Sequence, residues 1–259
     1  MTGRAEFIER IRREVSKTPG LFGASTAPRP ADPATAAETV RRELAERWPE
    51  ALERFRAEFE RVAGVFHRVP DLAAVPAALG AIARGYGAKR LVTWDPVALG
   101  FDAAPELTRE GLEVVAARAG EEDEAARLRH REQAARAQIG VTGADFVLGE
   151  TGTLILLSGA GRPRSTSLLP DVHVAVFGRD RLLETLEQVG IMLEALHVDP
   201  DHTLHVDPDH TMSGAMSGAM SGAMINFITG PSRTADIELT LTRGVHGPKE
   251  VHAVFVEAP

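Results

Sequence analysis

At 259 residues the chain is long enough to bury a large core, and its 44% hydrophobic and 25% charged content is ordinary for a globular protein. A formal charge of −8 argues against nucleic acid as the main partner, because phosphate backbones demand a basic surface. The absence of cysteine excludes a disulfide framework, a thiol nucleophile and any cysteine-ligated iron–sulfur cluster in this chain.

The first residues run directly into a charged segment without the apolar core of a signal peptide, and no apolar run has the length of a membrane span. A cytoplasmic location is therefore expected. Residues 5–16 read as a short charged helix with Phe7, Ile8, Ile11 and Val15 on one side, and residues 19–33 as an irregular arm rich in Pro, Gly, Ser and Ala. Leu44, Trp48, Leu52, Phe55, Phe59 and Val62 then recur at helical spacing, with a bend and a new helix expected at Pro49. We read residues 1–60 as a helical extension lying as a cap on an α/β domain over 61–259.

From about residue 70, apolar strands alternate with amphipathic helices. A helix over 72–86 precedes strands at 90–94 and 112–116, a charged helix over about 122–138, and a strand at 172–177. Asp180 is expected to cap a helix carrying Leu182, Leu186, Val189, Leu193 and Leu196. Residues 144–148 and 153–157 read as two strands around a glycine turn, an antiparallel pair inserted in the main sheet. A final strand spans 251–256. The pattern predicts an α/β fold, a mainly parallel Rossmann-like sheet with helices on both faces and ligands at the carboxyl ends of its strands. The tandem His-Val-Asp-Pro-Asp-His-Thr copies at 197–203 and 205–211, and the Met-Ser-Gly-Ala copies that follow, read as a duplicated loop rather than a metal site.

Three polar, glycine-bearing elbows concentrate the chemistry. In the first, Glu150 stands between Gly149 and Gly152, beside Thr151 and Thr153. Its carboxylate suits a general base or nucleophile, or an acceptor for the turn's own amides. The second holds Gly230, Pro231, Ser232, Arg233, Thr234, Asp236 and Glu238. Hydroxyls and backbone amides there suit an anion, with Asp236 or Glu238 orienting Arg233; the same pattern also reads as a capped helix start. The third places His246 beside Gly247, where a surface histidine suits acid–base work. Arg162 and Arg164, next to three hydroxyl residues, suit a carboxylate or phosphate. His173 reads as a core histidine. No dinucleotide fingerprint, Walker motif or nucleophile elbow is present.

The elbow residues Gly149 to Thr153, Thr229 to Glu238 and Gly244 to Pro248, with Leu169-Pro170 and His173, together resemble the lactate-utilisation protein C (LutC/YkgG) family and its LUD domain. The resemblance covers roughly residues 60 to 259 and leaves out the 197–224 repeats. It implies a fold related to the sugar-phosphate isomerase and CoA-transferase class. It also implies a part in oxidising L-lactate to pyruvate with iron–sulfur partner subunits, no cofactor being held by this chain. By analogy with CoA-transferases, Glu150 stands where a nucleophilic glutamate does, and a stand-alone enzyme acting on an anionic substrate is the alternative. The three elbows are expected to converge on one site.

Overall fold

A computed structural model describes residues 4–16, 30–120, 123–198, 224–234 and 242–258. They belong to two compact units, Met1–Asp32 and Pro33–Pro259. In the first, helix α1 (Arg4–Ser16) leaves Phe7, Ile8 and Ile11 exposed.

The second unit begins with helix α2 (Pro33–Arg61), whose buried Ala37, Val40, Leu44, Leu52, Phe55 and Phe59 recur on one stripe. The helix runs through Pro49 instead of restarting there. A proline removes one helical hydrogen bond, and here packing on both sides of it, by Leu44 before and by Ala51 and Leu52 after, outweighs that loss.

Next in order come β1 (Val65–Val69), α3 (Val75–Tyr86), β2 (Arg90–Thr93), α4 (Pro96–Leu99), α5 (Ala104–Arg109), β3 (Glu113–Ala116), α6 (Glu124–Arg136) and β4 (Ile139–Gly143). They are followed by β5 (Phe146–Leu148), β6 (Thr153–Leu157), α7 (Ser165–Leu168), β7 (Val172–Gly178), β8 (Leu182–Leu183) and α8 (Leu186–Val198). The chain ends with β9 (Ile225–Ile228), β10 (Arg233–Thr234), β11 (Thr242–Arg243) and β12 (Glu250–Val256).

Six strands form one sheet in the order β1-β12-β7-β4-β2-β3, every neighbouring pair parallel. Strands such as β7 and β12 are buried on both faces, which is why they read as unbroken apolar runs. On one face Leu91, Val141, Val174 and Val254 pack against Val75 and Leu79 of α3 and Leu107 of α5. On the other, Ala175, Phe177 and Phe255 meet Leu52, Phe55 and Phe59 of α2. The expected α/β class, with a parallel sheet and helices on both faces, is what the chain forms.

Two local expectations change. The antiparallel pair β5–β6 is not inserted in the parallel sheet; it belongs to a separate four-stranded sheet, β8-β5-β6-β9. Phe146, Leu148, Ile155 and Leu157 face Val189, Met192 and Leu196 of α8, while Val147, Leu154 and Leu156 join the α2 side. Alternating residues are thus buried on both faces of this second sheet. The helix expected after Asp180 starts only at Leu186, because Leu182 and Leu183 extend alongside Val147 and Leu148 as β8. Residues 199–223, which hold most of the tandem repeats, lie outside the described residues.

The strand order places a reversal between β2 and β4. The chain leaves β2 towards β3 on one side and leaves β4 towards β7 on the other, so a crevice opens at their carboxyl ends.

Candidate functional site

The first elbow is held from several sides. Gly149 donates its amide to the Leu183 carbonyl at 2.7 Å and Glu150 donates to the Glu184 carbonyl at 3.1 Å. The half-buried Glu150 carboxylate accepts the Leu186 amide at 3.1 Å, at the first residue of α8. An acid there satisfies a helix-start amide and complements the helix dipole. Gly152 has φ +63°, and a Cβ on it would enter the α2 backbone at Glu58 and Phe59. Glycine is thus required both by the left-handed turn and by the close approach. Thr151, Thr153 and Thr229 form a chain of hydroxyls, the Thr153 Oγ1 lying 2.7 Å from each neighbour.

That last contact joins the first elbow to the second. Gly230, with φ +73°, packs against the Val62 carbonyl, 2.5 Å from where a Cβ would sit. Arg233 donates an Nη2 hydrogen to the same carbonyl at 2.7 Å. Ser232 then ties in the third elbow. Its amide donates to the Pro248 carbonyl at 2.9 Å, its carbonyl accepts the Gly244 amide at 3.0 Å, and its Oγ accepts the His246 amide at 3.3 Å. Gly247 lies against the Ser232 side chain. Arg233 and Thr234 form β10, antiparallel to β11, where a helix start was expected; the Ser232 hydroxyl serves the neighbouring turn instead of capping a helix. Asp236 and Glu238 lie outside the described residues.

The three elbows therefore touch in series around the last turn of α2 and the residue after it. The second elbow follows the carboxyl end of β9 in the small sheet, but in the main sheet the second and third do not lie at the carboxyl ends where ligands were expected. Pro248 leads directly into β12, and the Lys249 amide donates to the Asp171 carbonyl just before β7, so this pair sits at the amino ends of both strands. The reason is the return path: the chain must pass from β10 and β11 into the start of a parallel strand. Among the described residues no hydrogen bond joins Glu150 to His246, whose side chain is exposed.

Arg162 and Arg164 lie elsewhere. Arg162 is buried, pairs with the buried Asp145 at 2.7 Å, and lies over the Trp94 ring at 5.3 Å. The second Asp145 oxygen accepts the Leu157 amide at 2.6 Å. Arg162 is thus committed to the fold. Arg164 is exposed on the wall of a cleft of about 710 Å³, which residues 115–118, the inner side of α6 and residues 158–164 enclose.

His173 is a core histidine as read: fully buried, with Nε2 2.8 Å from the Thr142 hydroxyl. Burial drives its pKa down to about 3, with a further push from His252. The sequence reading missed His67 and His252, whose rings stack with 2.8 Å between Nε2 and Nδ1, and Tyr86, whose hydroxyl lies 3.0 Å from His252 Nε2. Burial drives His252 down to about 4. A period-two pattern through β1 and β12 was the available signal, since His67 and His252 fall at inward positions. Among the described residues no three histidine, aspartate or glutamate side chains gather to hold a metal ion.

A six-stranded parallel sheet, with a second sheet whose glycine turn leans on a long helix, defines an α/β protein of the Rossmann-like class. The chain belongs to the LUD domain family, whose sequence profile matches residues 52–256. Lactate utilization protein C of Halalkalibacterium halodurans is 37% identical over 105 residues, 40% of this chain and 38% of that protein. The protein of the same name from Exiguobacterium is 34% identical over 104 residues, 40% of this chain and 37% of that one. The uncharacterized protein YkgG of Escherichia coli is likewise 34% identical over 104 residues, again 40% and 37% of the two chains. The matched stretches thus span under two fifths of these relatives' own length. The crystal structure of a DUF162 family protein from Deinococcus radiodurans shares the fold with a TM-score of 0.50 at 23% identity, covering 81% of this chain and 98% of that one. No helix among the described residues is long and apolar enough to cross a membrane.

Proposed function

We propose that the chain is a component of an L-lactate utilisation system that oxidises L-lactate to pyruvate together with iron–sulfur partner subunits. The observation that carries this reading is its likeness to proteins named Lactate utilization protein C. The cysteine-free sequence supports a division of labour in which electrons pass through clusters held by the partners.

Within that system the joined elbows serve as the contact face. Arg233 and His246 are exposed at neighbouring positions and suit an anionic group, either a substrate carboxylate or an acidic loop of a partner. Glu150, with its carboxylate on the Leu186 amide, braces this face by holding the start of α8.

The test is co-purification from cells growing on L-lactate. The tagged chain should bring down iron–sulfur proteins, and Arg233→Ala with His246→Ala should weaken that recovery severalfold. Recovery of the chain alone under those conditions contradicts the reading.

A further inference from the structure

We propose that the cleft at the carboxyl end of β3 binds a phosphate-bearing small molecule of nucleotide size. The proposal concerns a place apart from the elbow face and does not rest on the lactate reading.

Position is the first argument. The cleft opens at the carboxyl end of the edge strand β3 and shares Arg162 with a small hollow at the carboxyl ends of β2 and β4, where the sheet reverses direction. Its floor is Val115 to Arg118, the end of β3 and the two residues after it. One wall is α6, through Ala126, His130 and Gln133; the other is the 158–164 loop.

Charge is the second. Arg118, Arg127, Arg129 and Arg164 line the cleft, all exposed and none with an acidic partner among the described residues. Among the described residues no acidic side chain lines it. In a chain with a formal charge of −8, four arginines around one concavity, with no acidic partner among the described residues, stand out from the rest of the surface. Arginine forks favour the paired oxygens of phosphate, and closely spaced like charges gain most from a ligand with more than one negative charge.

Shape and stiffness are the third. About 710 Å³ is within the range of small-molecule sites and far more than a three-carbon acid fills. Val115, Ala116, Ala117, Ala126 and Pro163 offer apolar surface for an organic body beside the arginines. The loop wall is fixed in advance. Arg162 is locked to Asp145, the Trp94 indole donates to the Pro163 carbonyl at 3.3 Å, and the Asp95 amide donates to the Gly161 carbonyl at 2.8 Å. Asp95 also accepts the Ala119 amide at 2.8 Å, tying the floor after β3 to the same framework. Half-buried His130, 3.0 Å from the Thr166 hydroxyl, adds a ring nitrogen on the α6 side. Such a framework lets a ligand bind without first ordering the loop.

The probes are ADP and pyrophosphate, titrated calorimetrically into the full chain, with L-lactate and inorganic phosphate for comparison. ADP and pyrophosphate should bind, more tightly than inorganic phosphate, and weaken as salt rises. The triple variant Arg118→Ala, Arg127→Ala, Arg164→Ala should bind both at least tenfold more weakly, while Arg131→Ala with Arg136→Ala should not. Thermal melting of each variant separates lost binding from lost folding, and quenching of Trp94 gives a second readout at the loop. Absence of binding by both probes, or equal binding by the triple variant, overturns the proposal. L-lactate binding abolished by the triple variant, without binding of either probe, overturns the phosphate assignment.

Discussion

The Thr153 and Thr229 hydroxyls meet at 2.7 Å across a sequence separation of 76 residues. Thr153 is buried, and its hydroxyl is shared with Thr151 as well. The contact fastens the end of β9 to the start of β6 and so sets where the second elbow begins. Thr153→Val keeps the shape and removes both hydrogen bonds, and it should lower stability by about 1–2 kcal/mol. Urea denaturation measures this; an unchanged midpoint contradicts the link.

Gly152 makes a sharper case. Alanine there meets both an unfavourable left-handed backbone and the α2 backbone, so Gly152→Ala should destabilise by roughly 2–4 kcal/mol or prevent soluble expression. Gly159→Ala, where an added Cβ meets nothing within 4 Å, should be near neutral in the same denaturation series.

Much of this architecture was legible before the structure. Strands β2, β3, β7 and β12 showed as short apolar runs, helix α3 by its apolar face and α6 as the charged stretch between strands. The pairing of β8 with β5 was not legible, since Leu182 and Leu183 also fit a helix and only the distant Val147 and Leu148 decide between them. Strand β4 was hidden by Gly140, Thr142 and Gly143, polar or small residues whose burial follows from neighbours such as Thr166, His173 and Trp94. The elbows were read as converging on one site, whereas the place of the second and third at the amino ends of β7 and β12 depends on how the chain enters a parallel strand. The cleft was half seen: Arg164 drew attention, whereas Arg118, Arg127 and Arg129 looked like ordinary charged residues until the fold put them on one concavity.

The buried pair Asp145–Arg162 holds the loop that walls the cleft. Arg162→Ala leaves a carboxylate in a dry setting with one amide, and the loss should be about 3–5 kcal/mol. Replacing both partners together, as in Asp145→Leu with Arg162→Met, should recover part of it. Equal destabilisation by the single and double changes contradicts the charge argument.

The buried histidines set an acid limit. His67, His173 and His252 all have pKa values lowered by burial, His252 to about 4 and His173 to about 3. The neutral forms belong to the folded state, so their stabilisation is complete above the unfolded value near 6.5 and is lost as pH falls from there towards 4 and 3. Each can add up to about 1.4 kcal/mol of loss per pH unit in that window. Melting temperatures should fall steeply from pH 6.5 to 4.5, and His173→Gln should flatten the slope. A flat profile in the unsubstituted chain contradicts the assignment.

Glu150 separates bracing from chemistry. Glu150→Ala should cost about 0.5–2 kcal/mol through the lost acceptor at the start of α8, and Glu150→Gln, which keeps a carbonyl oxygen, distinctly less. If Glu150→Gln abolishes lactate-dependent growth while leaving the melting curve unchanged, the residue acts chemically and not as a brace.

The central claim, a part in L-lactate oxidation, is tested most directly by growth of a strain lacking the gene on L-lactate as sole carbon source. Loss of growth on L-lactate is expected, with normal growth on pyruvate and rescue by the gene but only weakly by its Arg233→Ala, His246→Ala form. Unimpaired growth of the deletion strain on L-lactate contradicts it.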